Sequence, residues 1–340
     1  MEKTRIFSID ALKAFAILAV ITGHLPSYCY YGWNIEPNPC SLAAFVSLFH
    51  MPLFMLLSGL VTNVQRFSLV KKTKLLIPFF VFGLLFTYTM GSGNAIYFMT
   101  NEAKAGYWFL WVLPLYFVLL HVIRKLHLPF IGGAVVVQVL LMALHFYFRR
   151  TEVGTTLSTD HLWALWPFFS LGVILKNKEW QHWHVNKLIP VFAILSLVSL
   201  ITLNNIGVGN EILLKLHKTL VGFPLCLFFL FLFVWLEQQY KGKTSRVKSV
   251  LKWTGTLIGT NTLQIYVIHY FLIMPFNLKM FGNYMIENNL VALEYLISPL
   301  LSVIIAILCV YISKALYAMR LGFVFGRMMN AGTKKIKEHE

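Results

Sequence analysis

SIDALKAFAILAVITGHLP, Ser8 to Pro26, is an apolar run interrupted by three ionisable side chains, Asp10, Lys13 and His24. An α-helix turns about 100° per residue, so the step from Lys13 to His24 makes almost three whole turns. The two side chains therefore share one face, about 16 Å apart along the axis. Asp10 falls close to the same stripe. Ionisable groups inside a membrane are costly, so a functional role is their default reading. The plainer readings are that Lys13 snorkels outward as an interface anchor and that His24 hydrogen-bonds a neighbouring helix. A cation near one surface below an imidazole deep in the bilayer also has the form of a channel ending at a general base. An imidazole can take a proton near neutral pH.

Composition sets the surroundings of this run. Of 340 residues, 58% are hydrophobic and 12% charged, with mean hydropathy +0.70. A soluble domain carries about 25% charged residues. The pattern predicts an all-α polytopic membrane bundle of about ten transmembrane helices. The expected spans are 9–28, 42–63, 75–91, 108–123, 130–148, 161–175, 188–204, 217–236, 257–275 and 296–316. The first run is too long for a signal-peptide core and lacks a small-residue cleavage site, so it is kept as a helix.

The net charge of +16 could indicate nucleic acid, but its distribution argues against that. With both termini cytoplasmic, 22 of the 29 Lys and Arg fall on inner segments and six on outer loops. This is the positive-inside pattern, and the basic excess reads as topology and contact with anionic membrane lipids. Cys226 and Cys309 fall within spans and read as packing residues. Cys29 and Cys40 flank the first outer loop, where a disulfide would need an oxidising compartment. The loop 237–256 is expected to separate eight front helices from two rear ones.

Three further runs carry candidate chemistry. In FHMPLFMLLSG, Phe49 to Gly59, Pro52 should start or kink a helix. Ser58 and Gly59 permit close helix contact, although Ser58 also suits a bond to its own helix. GYWFLWVLP, Gly106 to Pro114, opens the fourth span, with Trp108 either in an interfacial aromatic belt or in a sugar platform. GTNTLQIYVIHY, Gly259 to Tyr270, places Asn261, Tyr266 and His269 at helical spacing. Such groups can join helices or donate hydrogen bonds to an oxyanion or substrate. His182 and His184 alone are too few to hold a metal, and no metal is expected.

Together these runs resemble the integral-membrane acyltransferase family three, the sugar and polysaccharide O-acyltransferases that include O-antigen and fucose O-acetylase-like proteins. A basic residue, ten others and a histidine open that family's first helix, here Lys13 and His24. Its M-P-L-F and L-S-G elements correspond to Met51–Phe54 and Leu57–Gly59, and its L-x-I-Y-x-x-H to Leu263, Ile265, Tyr266 and His269. Residues 1–330 would form one integral-membrane acyltransferase domain and 331–340 a polar cytoplasmic tail. Where the family commonly has Arg-Gly, this chain has Lys13-Ala14, which keeps the charge but loses the bidentate fork.

The resemblance implies a mechanism and partners. Acyl-CoA, with acetyl-CoA the expected donor, would enter from the cytoplasm and meet Lys13, Arg5, Arg66 and Lys72. His24, with Asp10 on its helix, would deprotonate an acceptor hydroxyl, directly or through an acyl-histidine. Ser58, Trp108, Asn261, Tyr266 and His269 would contact substrate or the oxyanion. The acceptor would be a cell-surface glycan or lipid-linked sugar at the inner (cytoplasmic) membrane. Partner proteins of surface-polysaccharide synthesis could share the task. The competing reading is a secondary transporter or glycan flippase, which normally needs an acidic group well inside the membrane. Only Asp10 and Glu237 approach the expected spans, both at the inner edge.

Overall fold

A computed structural model describes residues 7–31, 41–177, 184–205, 211–240 and 246–326. Helices dominate, and no strand occurs among these residues. Helix α1 (Phe7–Leu25) runs into a π-turn at Pro26–Tyr30. After it come α2 (Ser41–Ser47), α3 (His50–Leu60), α4 (Leu69–Thr73), α5 (Leu76–Thr89) and α6 (Ala95–Thr100). The middle of the chain forms α7 (Trp108–Lys125), α8 (Phe130–Phe148), α9 (Glu152–Leu157) and α10 (Thr159–Asn177). The rest is α11 (Val185–Asn205), α12 (Glu211–Gln239), α13 (Arg246–Thr254), α14 (Thr262–Ile273), α15 (Lys279–Glu287) and α16 (Glu294–Ala318).

The protein is a helical membrane bundle. Among the described residues, seven helices are long and apolar enough to cross a bilayer: Phe7–Tyr30, Leu42–Leu60, Trp108–Lys125, Phe130–Phe148, Val185–Thr202, Leu216–Gln239 and Val291–Ala318. The three other expected spans fall on α5, α10 and α14. With 14 and 12 residues, α5 and α14 reach about 21 and 18 Å, short of the roughly 30 Å hydrocarbon core. Helix α10 has the length, but Asp160, His161 and Ser170 dilute its apolar character.

Helix α1 lies at the centre. A helix hydrophobic all round belongs in an interior, and α1 divides its surface between two cores. Ile9, Leu12, Ala16 and Ala19 pack into the core built from α3, α7, α8, α10 and α12. Ala14, Ile17, Val20, Ile21 and Leu25 pack into the core built from α5, α14 and α16. The front and rear helices expected from the 237–256 loop are thus joined through α1. That loop also contains a helix, α13, whose C-terminal end packs with the segment ahead of α14 against α1.

Close approaches fix the position of this central helix and its neighbours. A Cβ on Gly59 would strike the Phe169 carbonyl oxygen, and one on Gly172 would strike that of Leu56. Two facing glycines therefore let α3 and α10 meet backbone to backbone, as the L-S-G element predicts. Gly259 does the same against the Asp10 carbonyl. The first turn of α1 is capped from a distance: Glu237 of α12 accepts the backbone N–H of Phe7 at 3.3 Å and of Ser8 at 3.0 Å. A carboxylate there satisfies otherwise orphaned donors and opposes the helix dipole. This explains the acid that approaches the inner edge of the spans.

The structure adds a third acid to the two read from the sequence. Glu294, the first residue of α16, is fully buried and accepts a 3.2 Å hydrogen bond from the Tyr31 hydroxyl. It too sits at a helix N-terminus, where the dipole favours its charge. Cys226 and Cys309 are buried packing thiols, and Cys29 is a buried free thiol directed at the Ile273 carbonyl. Cys40, Arg5, His182 and the 331–340 tail lie outside the described residues, and His184 is exposed.

Candidate functional site

Helices α1, α3, α7 and α14 enclose a cleft of about 170 Å³. Lys13 lies on its wall together with Ser58, Thr262 and Tyr266, and the remainder is apolar, from Met51 and Phe54 to Phe109 and Leu113. The cleft follows α3 from Met51 to Val61. Pro52 falls in the first turn of α3, where proline is tolerated, and Leu48 and Phe49 separate α2 from α3.

The wall of the cleft carries one cation, Lys13, and a second, Lys72, lies close to it. Lys13 pairs with Asp10 at 3.5 Å, one helical turn away. Lys72 of α4 places its ammonium 4.3 Å from the centre of the Phe117 ring. Burial, and after it the charge of Lys13, lowers the Lys72 pKa from its usual value. Two lysines from segments far apart in sequence therefore oppose each other's charge at this site, an arrangement that an anion would relieve. Arg66 is exposed on the adjoining turn.

Asp10 belongs with Lys13 and not with His24. Fourteen helical residues separate the two by about 21 Å along α1. His24 lies instead in an aromatic cluster. Its ring centre is 5.4 Å from His269, 5.2 Å from Tyr270 and 5.5 Å from Tyr28. His269 is fully buried, and its Nδ1 lies 3.1 Å from the Ile265 carbonyl. A carbonyl only accepts, so Nδ1 carries the hydrogen and Nε2 keeps a lone pair. That Nε2 and the Nδ1 of His24 are both buried without a hydrogen-bond partner. Each such orphan costs about 1–3 kcal/mol, and two on neighbouring rings call for an explanation. His24 does not line the cleft; Tyr266, whose ring is 6.0 Å from His269, is the link between cleft and cluster.

The remaining candidates are engaged locally. The Tyr266 hydroxyl donates to the Gly106 carbonyl at 2.7 Å, and the Asn261 amide donates to Leu257 at 2.8 Å and Thr260 at 3.1 Å. Neither group donates into the cleft in this arrangement. The aromatics of the Gly106–Pro114 run face inward and do not form an interfacial belt. Tyr107 is fully buried and donates to the Val267 carbonyl at 3.0 Å, and Phe109 lines the cleft. Trp108 lies outside the cleft, stacked on His161 with ring centres 4.0 Å apart. No sequence signal ties residue 108 to residue 161. Ligand-type atoms of Glu102, Asp160 and His161 lie within 4.8 Å of one another. Within that grouping, His161 Nδ1 lies 3.7 Å from a Glu102 carboxylate oxygen.

No curated protein and no solved structure matches this chain. The profile of the acyltransferase domain, family 3, matches residues 6–317. That stretch contains α1 with Lys13 and His24, the α3 wall of the cleft, and α14 with Tyr266 and His269. The chain therefore belongs to the membrane acyltransferase family three.

Proposed function

We propose that this acyltransferase moves an acetyl group from acetyl-CoA to a hydroxyl of a cell-surface glycan or lipid-linked sugar. It would do so as a multi-pass protein of the inner membrane with cytoplasmic termini. The observation that carries the reading is a mostly apolar cleft lined by Lys13, with Lys72 close to it, and by Tyr266, which adjoins the histidine cluster. Phosphates of the donor fit beside Lys13 and Lys72, which supply point charges. The pantetheine arm fits the apolar wall along α3. The thioester then arrives beside Tyr266, next to the histidine cluster.

His24 acts as the general base. Its Nδ1–H turns to the lone pair of His269 Nε2, which satisfies both orphaned nitrogens and leaves His24 Nε2 to take a proton. That nitrogen removes the proton of the acceptor hydroxyl, and the oxygen attacks the thioester carbonyl. The tetrahedral intermediate collapses with cleavage of the C–S bond. The CoA thiolate leaves and takes the proton from His24, which restores the neutral imidazole. Asp10 serves as the counter-ion of Lys13 and has no part in the proton transfer. The orientation of a base by a second group is the logic of hydrolytic triads, here with an imidazole as the orienting group.

The test is transfer of label from radioactive acetyl-CoA to a glycan panel by the purified protein in nanodiscs. Labelled glycan together with stoichiometric free CoA supports the reading. Label that crosses a sealed vesicle membrane without CoA release would instead indicate transport.

A further inference from the structure

A second cavity, of about 310 Å³, opens beside the N-terminal end of α3. Its walls carry His50, Asp160, His161, Trp108, Lys218 and Thr219. The cleft follows α3 from residue 51 to 61, whereas this cavity adjoins residues 47 to 52. Met51 lines both, so the two spaces adjoin at this residue.

The chemistry of the walls is specific. The Trp108 and His161 rings stack at 23° to form a flat aromatic surface. Beside it lies the Asp160 carboxylate, an acceptor one of whose oxygens stands 3.9 Å from His145 Nε2. His50 provides a second acceptor, because its Nδ1 lies 2.6 Å from the Val46 carbonyl and must donate to it. Its Nε2 lone pair is therefore fixed by the break between α2 and α3. Lys218 is an exposed cation. An acyl chain has no use for such groups. A hydroxylated ring uses all of them, with its C–H face on the aromatic surface and its O–H groups donating to carboxylate and imidazole.

We propose that this cavity binds the acceptor sugar, with His50 Nε2 and Asp160 accepting hydrogen bonds from ring hydroxyls over the Trp108–His161 stack. The proposal rests on the acyl-transfer reading for its purpose but not for its chemistry. Sugar held here lies beside Met51, which also lines the cleft. Neither His50 nor Asp160 needs to exchange a proton. Their role is to position the acceptor and to select its hydroxyl pattern.

Two readouts keep the cavity and the reaction apart. The first is photolabelling of the intact protein in nanodiscs with diazirine derivatives of methyl galactoside and N-acetylglucosamine, mapped by peptide mass spectrometry. Label on 47–52 or 160–168 that unmodified sugar displaces, and that His50→Leu and Asp160→Asn each weaken, supports the site even if no acyl transfer is seen. Displaceable label confined to other segments overturns it. The second is steady-state transfer from acetyl-CoA to the same sugars. Each substitution should raise the sugar KM about tenfold, the effect of losing one hydrogen bond of roughly 1.4 kcal/mol. The affinity for acetyl-CoA measured by calorimetry should not change. Wild-type transfer with an unaltered sugar KM in both variants overturns the proposal. Specific photolabelling with no transfer to any glycan would overturn the acyl-transfer reading alone.

Discussion

Lys13→Ala is the most informative single change in the cleft. The Lys13 side chain is 26% exposed and already pairs with Asp10, so a bond from it to the phosphate of the proposed donor would be neither fully buried nor free of competition. Hydrogen bonds to charged groups contribute about 1.5–3 kcal/mol, and partial exposure places this one at the lower end. About 1.4 kcal/mol corresponds to a tenfold weaker Kd for acetyl-CoA. The substitution also removes the cation that faces the Asp10 carboxylate at the mouth, which adds repulsion. Asp10→Asn should act in the opposite direction and tighten donor binding about threefold, because it releases Lys13 from a competing partner. Both effects should shrink as salt rises from about 50 mM to 500 mM, since the site is partly open to screening. Titration calorimetry with acetyl-CoA reads all of these outcomes. Donor affinity unchanged in Lys13→Ala removes Lys13 from the donor site. A complete loss of turnover in Asp10→Asn, with the protein folded, would return Asp10 to the catalytic machinery.

Two predictions concern the scaffold. Gly59→Leu should separate α3 from α10 and lower thermal stability in detergent by several degrees, since any side chain there meets the Phe169 carbonyl; an unchanged unfolding temperature would show that the two helices do not touch at the glycines. Lys104, in the loop before α7, is fully buried and directs its ammonium at the carbonyls of Met99, Asn101 and Thr155. Burial pushes its pKa down to about 8 from 10.5, partly offset by Glu102. The folded state then releases this proton before the unfolded state does, so stability should rise between about pH 8 and 10.5 relative to Lys104→Met. A flat difference across that window would mean that the three carbonyls outweigh burial.

Much of the architecture is legible in the apolar pattern. The Ser8–Pro26 run is α1, and its apolar residues on every face foretell a helix packed on all sides. Pro52 and Gly59 mark a helix start and a close crossing at the positions where α3 begins and meets α10. What the pattern misses depends on pairs distant in sequence. The cap of α1 by Glu237, the stack of Trp108 on His161 and the burial of Glu294 against Tyr31 all join separate segments. Hydropathy places each residue along a helix axis but does not say which neighbour it faces. The same limit explains α5 and α14, where a window of apolar residues runs past the ends of the helix. It also explains the aromatic run at 107–109, whose composition suits an interface but whose side chains turn inward.

In the proposed mechanism an acyl group that arrives from the Lys13 side passes to an alcohol at the His24–His269 pair. The most direct measurement compares wild type with His24→Ala, both purified and folded in nanodiscs, given labelled acetyl-CoA and acceptor glycan. Labelled glycan should fall to background in the variant while calorimetry finds acetyl-CoA bound as tightly as before. Product formed by His24→Ala at the wild-type rate would contradict it.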